Sequence, residues 1–355
     1  MIRTLSLKNF RCFENLYLRE LKRFNVIVGQ GGSGKTALLE AIFLLSAASP
    51  EVWMRLRQWR GSSPQFRLTG TRSSYESLFR DIFYNFDKHK PVKMELVDSN
   101  DRRRSLSISY PRLEIMVRSA KVRTEPTPVS EENAYLVEPI EFEWRSKSRI
   151  QKARVEIKDG ILQFRGGNNV YPVWFSSPVI NEASLIAQSF SDLSIRKKAD
   201  TLVNAVKKLY PDVLDLSVES IAGDLALCMS SASTSEKLPV GVMSSGMTRF
   251  LSIMIAIANN PNGVLLIDEM EVGFYYKTLP MVLSSIFSFC EEHNVQIFAS
   301  THSYEFMQAL VPFMKEREGT DDAFLLLRAE KKGPDSSIKP LENPAAAIAS
   351  NFEVR

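Results

Sequence analysis

The sequence predicts an α/β fold: a mainly parallel central sheet flanked by helices, joined by an antiparallel β subdomain and a helical subdomain. Three observations predict it. Residues 24–28 (FNVIV) form an apolar strand that passes through a glycine-rich turn into the helix formers of residues 37–45. The last third alternates strand and helix, at residues 263–267, 280–293, 295–300, 304–310 and 323–327, which implies parallel strands covered on both faces. From about Gly61 to residue 175 the chain is polar, arginine-rich and turn-rich, with short alternating runs.

The elements follow in order. Ile2, Leu5 and Leu7, then residues 16–21, read as short strands. The helix after the glycine-rich turn is apolar on nearly every side, as a sandwiched helix is, and Pro50 is a natural stop. Residues 92–97, 105–110, 114–117, 140–144, 153–157 and 161–164 are candidate antiparallel strands. Residues 124–143 carry six acidic residues, no Lys or Arg and three prolines, which suits a loop, and residues 166–169 suit a turn. A strand at 173–175 precedes helices around 184–188 and 197–209.

With 355 residues, 44% of them hydrophobic, the chain can bury a large core. Cys12, Cys228 and Cys290 are odd in number and far apart, which argues against a disulfide framework or a metal cluster. No stretch approaches the roughly 18 apolar residues of a membrane span, and residues 1–10 alternate like a strand rather than a signal segment. No membrane partner and a cytoplasmic location are expected.

Gly29, Gln30, Gly31, Gly32, Ser33, Gly34, Lys35 and Thr36 fit G-x-x-x-x-G-K-[ST] between a strand and a helix. Glycine-rich backbone can curl closely enough for several N–H groups to converge on a phosphate chain. Lys35 would neutralise the β- and γ-phosphates of ATP, Thr36 would place its hydroxyl on Mg²⁺, and the helix start adds its dipole. Residues 264–267 are an apolar strand ending in Asp268 and Glu269, acids that need a cation or water there. Asp268 is the candidate Mg²⁺ ligand and Glu269 the catalytic group for the attacking water. Glu271 is either a loop residue or a direct participant. The next apolar strand ends in Thr301-His302-Ser303. His302 either terminates that strand or, the preferred reading, contacts the γ-phosphate as a catalytic residue. Ser244, Ser245 and Gly246 open a further helix, where a serine can cap its own N-terminus.

In this order, the phosphate loop, the Ser-Ser-Gly helix, the Asp-Glu strand and the Thr-His strand resemble ABC-type ATPase heads of the RecF, SMC and OLD group. Residues 5–13 (LSLKNFRCF), 265–271 (LLIDEME) and 300–303 (STHS) carry the same resemblance. It implies a P-loop NTPase with an ABC-type head, and aligns residues 243–247 (MSSGM) with a signature segment close to Leu-Ser-Gly-Gly-Gln. Ser244, Ser245 and Gly246 would then contact ATP bound by a second subunit, giving a homodimer or higher homo-oligomer through ATP-sandwiched heads. The group's Mg²⁺-linked glutamine has no match at Gln58, Gln163 or Gln188, and Arg11 either reaches the nucleotide or pairs on the surface. The expected organisation is a discontinuous head at 1–60 and 240–355, a β-rich basic insert at 61–175 and a helical, signature-side subdomain at 176–239.

The 208 positions between Thr36 and Ser244 are too few for the coiled coil of SMC arms, and no sustained heptads appear. An OLD-like or RecF-like head with a folded insert fits better. Only 53 residues follow His302, so the Toprim nuclease domain of many OLD proteins is not expected. Residues 101–123 carry a net charge of +5, which suits either DNA or RNA, or pairing with the acidic stretch or a protein. The resemblance implies a Mg²⁺-dependent ATPase switch controlling a separate effector protein in bacterial or phage defence. The alternative is a RecF-like ATP-gated DNA clamp with slow hydrolysis.

Overall fold

The computed structural model describes residues 1–47, 49–60, 76–111, 115–118, 134–137, 139–147, 149–158, 161–164, 173–177, 183–318, 324–341 and 348. Its central sheet has six strands, in the order Val173–Ser176, Val264–Ile267, Gln296–Thr301, Phe24–Val28, Phe324–Lys332, Asp335–Pro340. The first five run parallel and the last returns antiparallel.

The three middle strands are buried along their whole length, and the strand period of two deals their side chains to two cores. Val26, Val28, Leu265, Ile267, Ile297 and Ala299 face the helices Ser245–Asn259, Leu279–Glu292 and Tyr304–Glu316. Ile27, Leu266 and Phe298 face the helix Lys35–Ser46.

That helix is sandwiched, as its all-round apolar character predicts. A seven-stranded antiparallel sheet shares its core, in the order Ile161–Phe164, Arg149–Lys158, Glu141–Ser146, Arg103–Ser109, Val92–Asp98, Ile2–Phe10, Phe13–Leu18. Two of its residues finish the helix C-terminus, where carbonyls lack intrahelical partners. Trp144 Nε1 donates to the Leu44 carbonyl at 3.2 Å, and Arg104 donates to the carbonyls of Leu45 at 2.6 Å and Ser46 at 3.2 Å.

The expected boundaries need correction in two places. The β-rich insert of residues 61–175 does not stand apart from residues 1–60, because Leu5 pairs with Leu18 on one side and Leu96 on the other. One sheet spans both segments, and the strand Val173–Ser176 belongs to the central sheet. Residues 176–239 are not purely helical: the helices Ala183–Ile195 and Ala199–Leu209 are joined by a sheet of Val213–Ile221, Asp224–Ser231 and Leu238–Pro239. Val213, Leu216, Leu227 and Met229 are buried there, and the polar residues between them disguise the strand period. Pro50, expected as a stop, is the N-cap of a second helix, Glu51–Trp59, whose buried Trp53 donates to the Leu78 carbonyl at 3.0 Å.

Residues 134–137, expected within an acidic loop, are a strand, and the candidate strand at 140–144 is the strand Glu141–Ser146. Residues 124–133 of that stretch, the turn at 166–169, and Arg112, Lys121 and Arg123 lie outside the described residues. Five basic residues of this region are paired within the chain. Arg102 meets Asp98 at 2.9 Å, Arg103 meets Glu95 at 3.6 Å, Arg154 meets Glu141 at 2.9 Å, and Arg145 and Lys152 meet Glu143. The three cysteines are free, and Cys228 and Cys290 are buried. Among the described residues, no helix is long and apolar enough to cross a membrane.

Candidate functional site

Four segments converge at the carboxyl ends of the parallel strands, the edge where open α/β sheets bind ligands. The first is the turn from Phe24–Val28 into Lys35–Ser46. Gly34, at φ +99°, is the N-cap of that helix, and a Cβ there would lie 2.8 Å from Phe13 and 2.9 Å from Cys12. Only glycine fits, so the N-terminal hairpin presses directly on the loop. Gly29, at φ +147°, is equally confined, since a Cβ would stand 2.2 Å from the Ala329 carbonyl oxygen. Gly31 and Gly32 have open space on the side where a Cβ would project. Ser33 is buried, with an Oγ that has no hydrogen-bond partner, while its N–H donates to the Gln30 carbonyl at 3.3 Å.

Lys35 Nζ donates to the carbonyls of Gly29 at 2.6 Å and Gln30 at 2.9 Å, so the ammonium lies across the loop. Burial pushes its pKa down, opposed by the carboxylates of Asp268, Glu269 and Glu271. Thr36 Oγ1 lies 3.2 Å and 3.0 Å from the two carboxylate oxygens of Asp268. These hard oxygen donors fit Mg²⁺, which takes one or two protein ligands and completes its shell with phosphate oxygens and water. Among the described residues, no group of three or more His, Cys, Asp or Glu could hold a metal.

The strand Val264–Ile267 delivers Asp268 and Glu269. Glu269 has φ +50°, a left-handed backbone that costs a non-glycine residue about 1–3 kcal/mol and persists only where neighbours enforce it. Ser300 is one enforcer: its Oγ donates to Asp268 Oδ1 at 2.5 Å and accepts the Glu269 N–H at 2.9 Å. Arg249 is another, donating to the carbonyls of Asp268 at 2.7 Å and Glu269 at 3.2 Å. Burial presses the Arg249 pKa down to about 10, opposed by the surrounding acids, so it stays charged at neutral pH. From the end of the edge strand Val173–Ser176, the Ser176 carbonyl accepts the Asp268 N–H at 2.8 Å.

His302, half-exposed, follows the strand Gln296–Thr301. Its Nδ1 lies 3.2 Å from Glu271 Oε1 and 4.0 Å from Glu269 Oε1. The predicted acids and histidine thus meet, Glu271, left between a loop residue and a participant, lies against His302, and the structure adds Arg249 and Ser300. Arg249 carried one signal in the sequence, as an arginine beginning an apolar run. Ser300 lay within the STHS motif without an assigned role.

The Ser-Ser-Gly segment does cap its own helix: Ser244 Oγ accepts the Met247 N–H at 3.1 Å. That leaves the hydroxyl proton free to donate elsewhere. Ser244 and Ser245 are exposed, beside Val242 and Met243. Gly246 is buried, and a Cβ there would lie 2.5 Å from the Gly273 carbonyl oxygen, so the helix start rests on the loop that follows Glu271. Arg11 forms the ion pair that one reading gave it, but in the interior. It is buried rather than on the surface, pairs with Glu40 of the phosphate-loop helix at 2.9 Å, and stacks 4.8 Å from the Trp53 ring. Arg60 meets Glu40 from the other side at 2.7 Å.

A family model described as "AAA domain, putative AbiEii toxin, Type IV TA system" matches residues 24–308. An ATP/GTP phosphatase of Helicobacter pylori is 21% identical over 345 residues, 90% of each chain. The DNA replication and repair protein RecF of Idiomarina loihiensis is 52% identical over 44 residues, 12% of each chain. An SMC head domain from Thermotoga maritima superposes with a TM-score of 0.47 at 12% identity, covering 96% of this chain and 99% of that one.

Proposed function

We propose, from the premise that this chain belongs to the AAA-domain family whose model it matches and is an ATPase with an ABC-type head, that two such heads close around ATP and reopen after hydrolysis. The observation that carries this reading is the contact between Thr36 and Asp268, which joins the phosphate loop to the acidic strand end. Backbone N–H groups of residues 29–36 cradle the phosphates, and Lys35 leaves the Gly29 and Gln30 carbonyls to neutralise them. Thr36 and Asp268 hold Mg²⁺, which when bound supplies charge neutralisation to the transferring phosphoryl group. Glu269 accepts a proton from the attacking water, and His302 donates to the γ-phosphate.

Ser244, Ser245 and Gly246 serve the ATP of the second subunit. The capped helix end presents a positive dipole and a spare hydroxyl proton. Exposed Val242, Met243, Tyr275 and Tyr276 beside it support contact with another head. The output of the cycle, within the cytoplasm, is control of a separate effector protein in bacterial or phage defence, supported by the toxin–antitoxin description of the family.

The local RecF likeness supports a second reading, an ATP-gated DNA clamp with slow hydrolysis. The internal pairing of Arg102, Arg103, Arg145, Lys152 and Arg154 leaves less free charge for a phosphate backbone than the sequence promised. ATP turnover with and without Mg²⁺ and DNA, compared with Glu269→Gln, tests the two. The switch requires Mg²⁺-dependent turnover that Glu269→Gln abolishes. Wild-type turnover no higher than that of Glu269→Gln under every condition rejects it. Ser244→Arg should bind ATP as a monomer and fail to dimerise with it by light scattering; loss of monomer binding with dimerisation spared rejects the trans assignment.

A further inference from the structure

Glu271 stands apart from the acids already given a task. Its Oε1 takes two approaches from one residue: the His302 backbone N–H donates to it at 3.1 Å, and the His302 ring Nδ1 lies at 3.2 Å. The Glu271 side chain is only 11% exposed, against 56% for His302. Its other oxygen, Oε2, is buried with no hydrogen-bond partner. The carbonyl of Glu271 accepts the Phe274 N–H at 3.1 Å, which fixes the turn that carries it. An exposed imidazole is therefore gripped by an enclosed carboxylate.

We propose that Glu271 is a positioning residue that holds His302 in the Nδ1–H form and leaves Nε2 as its working nitrogen. An ionised carboxylate only accepts hydrogen bonds. A ring with a lone pair on Nδ1 would set that lone pair against Oε1, so the neutral Nε2–H tautomer is disfavoured and Nδ1 keeps the proton. The second ring nitrogen then accepts a hydrogen bond when the ring is neutral and donates one only when the ring is protonated. This is the logic by which a hydrogen bond at one ring nitrogen sets the chemistry of the other.

The groups around the ring agree. Glu269 approaches Nδ1 at 4.0 Å from the same loop as Glu271, so both carboxylates on that side are hydrogen-bond acceptors facing Nδ1. Glu305, on the helix that follows His302, accepts from Ser303 Oγ at 2.9 Å. Lys35, the cation of the phosphate loop, is occupied by the Gly29 and Gln30 carbonyls.

The inference rests on His302 contacting the γ-phosphate, and its test separates the two. The chain has three histidines, His89, His293 and His302, so ring ¹⁵N signals of histidine-labelled protein are assignable through a His302→Gln spectrum. In nucleotide-free protein, above the pH at which the ring is neutral, His302 should show a protonated Nδ1, whereas free imidazole side chains favour protonated Nε2. Glu271→Gln can turn its amide N–H toward Nδ1, so it should release the Nε2–H tautomer. Its kcat should fall on the order of tenfold, with KM for ATP little changed. Should Glu271→Gln fail to fold, Glu271→Asp, with its shorter reach, should show a mixed tautomer population. A wild-type His302 protonated on Nε2, or a folded Glu271 variant that keeps the Nδ1–H form, overturns the proposal. Because the tautomer is read without ATP, a hydrolysis-competent Glu269→Gln enzyme would overturn the functional reading and leave this one standing.

Discussion

Thr36 and Asp268 lie 232 positions apart, yet a threonine hydroxyl and a carboxylate meet at 3.0 Å where the phosphate loop faces the acidic strand. In this arrangement each oxygen is the other's partner, and a divalent cation would replace one hydrogen bond with two metal bonds. Asp268→Asn keeps the hydrogen bond and removes the charge. It should fold normally, with turnover reduced at least about 100-fold, roughly 3 kcal/mol of transition-state stabilisation. Near-wild-type turnover in saturating Mg²⁺ would exclude Asp268 as the metal ligand.

Arg249 ties the helix Ser245–Asn259 to the loop of Asp268 and Glu269, since its guanidinium serves the carbonyls of both. Arg249→Met keeps the apolar stem and orphans both carbonyls. A hydrogen bond from a charged donor contributes about 1.5–3 kcal/mol, so urea unfolding should show a loss in that range. Released from its left-handed backbone, Glu269 should lose its aim, and kcat should fall while ATP affinity is retained. Unchanged kcat in a destabilised variant would make Arg249 a packing residue only.

Gly246→Ala tests the seat of the same helix. The new methyl would stand 2.5 Å from the Gly273 carbonyl oxygen, and overpacking of this kind costs about 1–3 kcal/mol. Gly241→Ala, where nothing lies within 4 Å, should change stability by less than about 0.5 kcal/mol. Equal melting shifts for the two variants would show that the close approach is not a constraint.

Arg11 and Glu40 form a buried ion pair under the phosphate-loop helix. Removing one partner of such a pair costs about 3–5 kcal/mol, whereas replacing both with apolar residues is often neutral or stabilising. Glu40→Met should therefore be the less stable protein and Arg11→Met/Glu40→Met the more stable one. Burial raises the Glu40 pKa, with Arg11 and Arg60 opposing it. The folded state thus binds the Glu40 proton more tightly than the unfolded state. Its contribution is fully present below the ordinary glutamate pKa and lost as pH rises through the folded value. The double variant should lack that part of the pH slope in denaturant titrations; an unchanged slope would assign it to other groups.

Much of the site was legible because its motifs are contiguous and sit where apolar strands end. The phosphate loop follows Phe24–Val28, the two acids follow Val264–Ile267, and His302 follows Gln296–Thr301. Arg249 and Ser300 were not legible in the same way, and Glu271 was named without a settled role. Arg249 works through backbone carbonyls 19 and 20 positions away, and Glu271 and Ser300 work across 31 positions. A backbone partner leaves no mark in the sequence. Strand order was hidden for a related reason. Leu5 and Leu96 share a sheet because both feed the core around the phosphate-loop helix, while local composition only announced a change at Gly61. Arg104 read as free positive charge, yet it completes the end of that helix.

The strand Phe24–Val28 lies between Gln296–Thr301 and Phe324–Lys332 in the central sheet. During synthesis, therefore, the phosphate loop leaves the ribosome early and waits with both flanks of its strand unpaired. Its neighbours are among the late strands to be made, and non-local pairing of this kind is slow. A nascent chain stalled before residue 296 carries the nucleotide-binding motif without the sheet that shapes it. The cost is a long interval in which that bare strand must be kept from other partners.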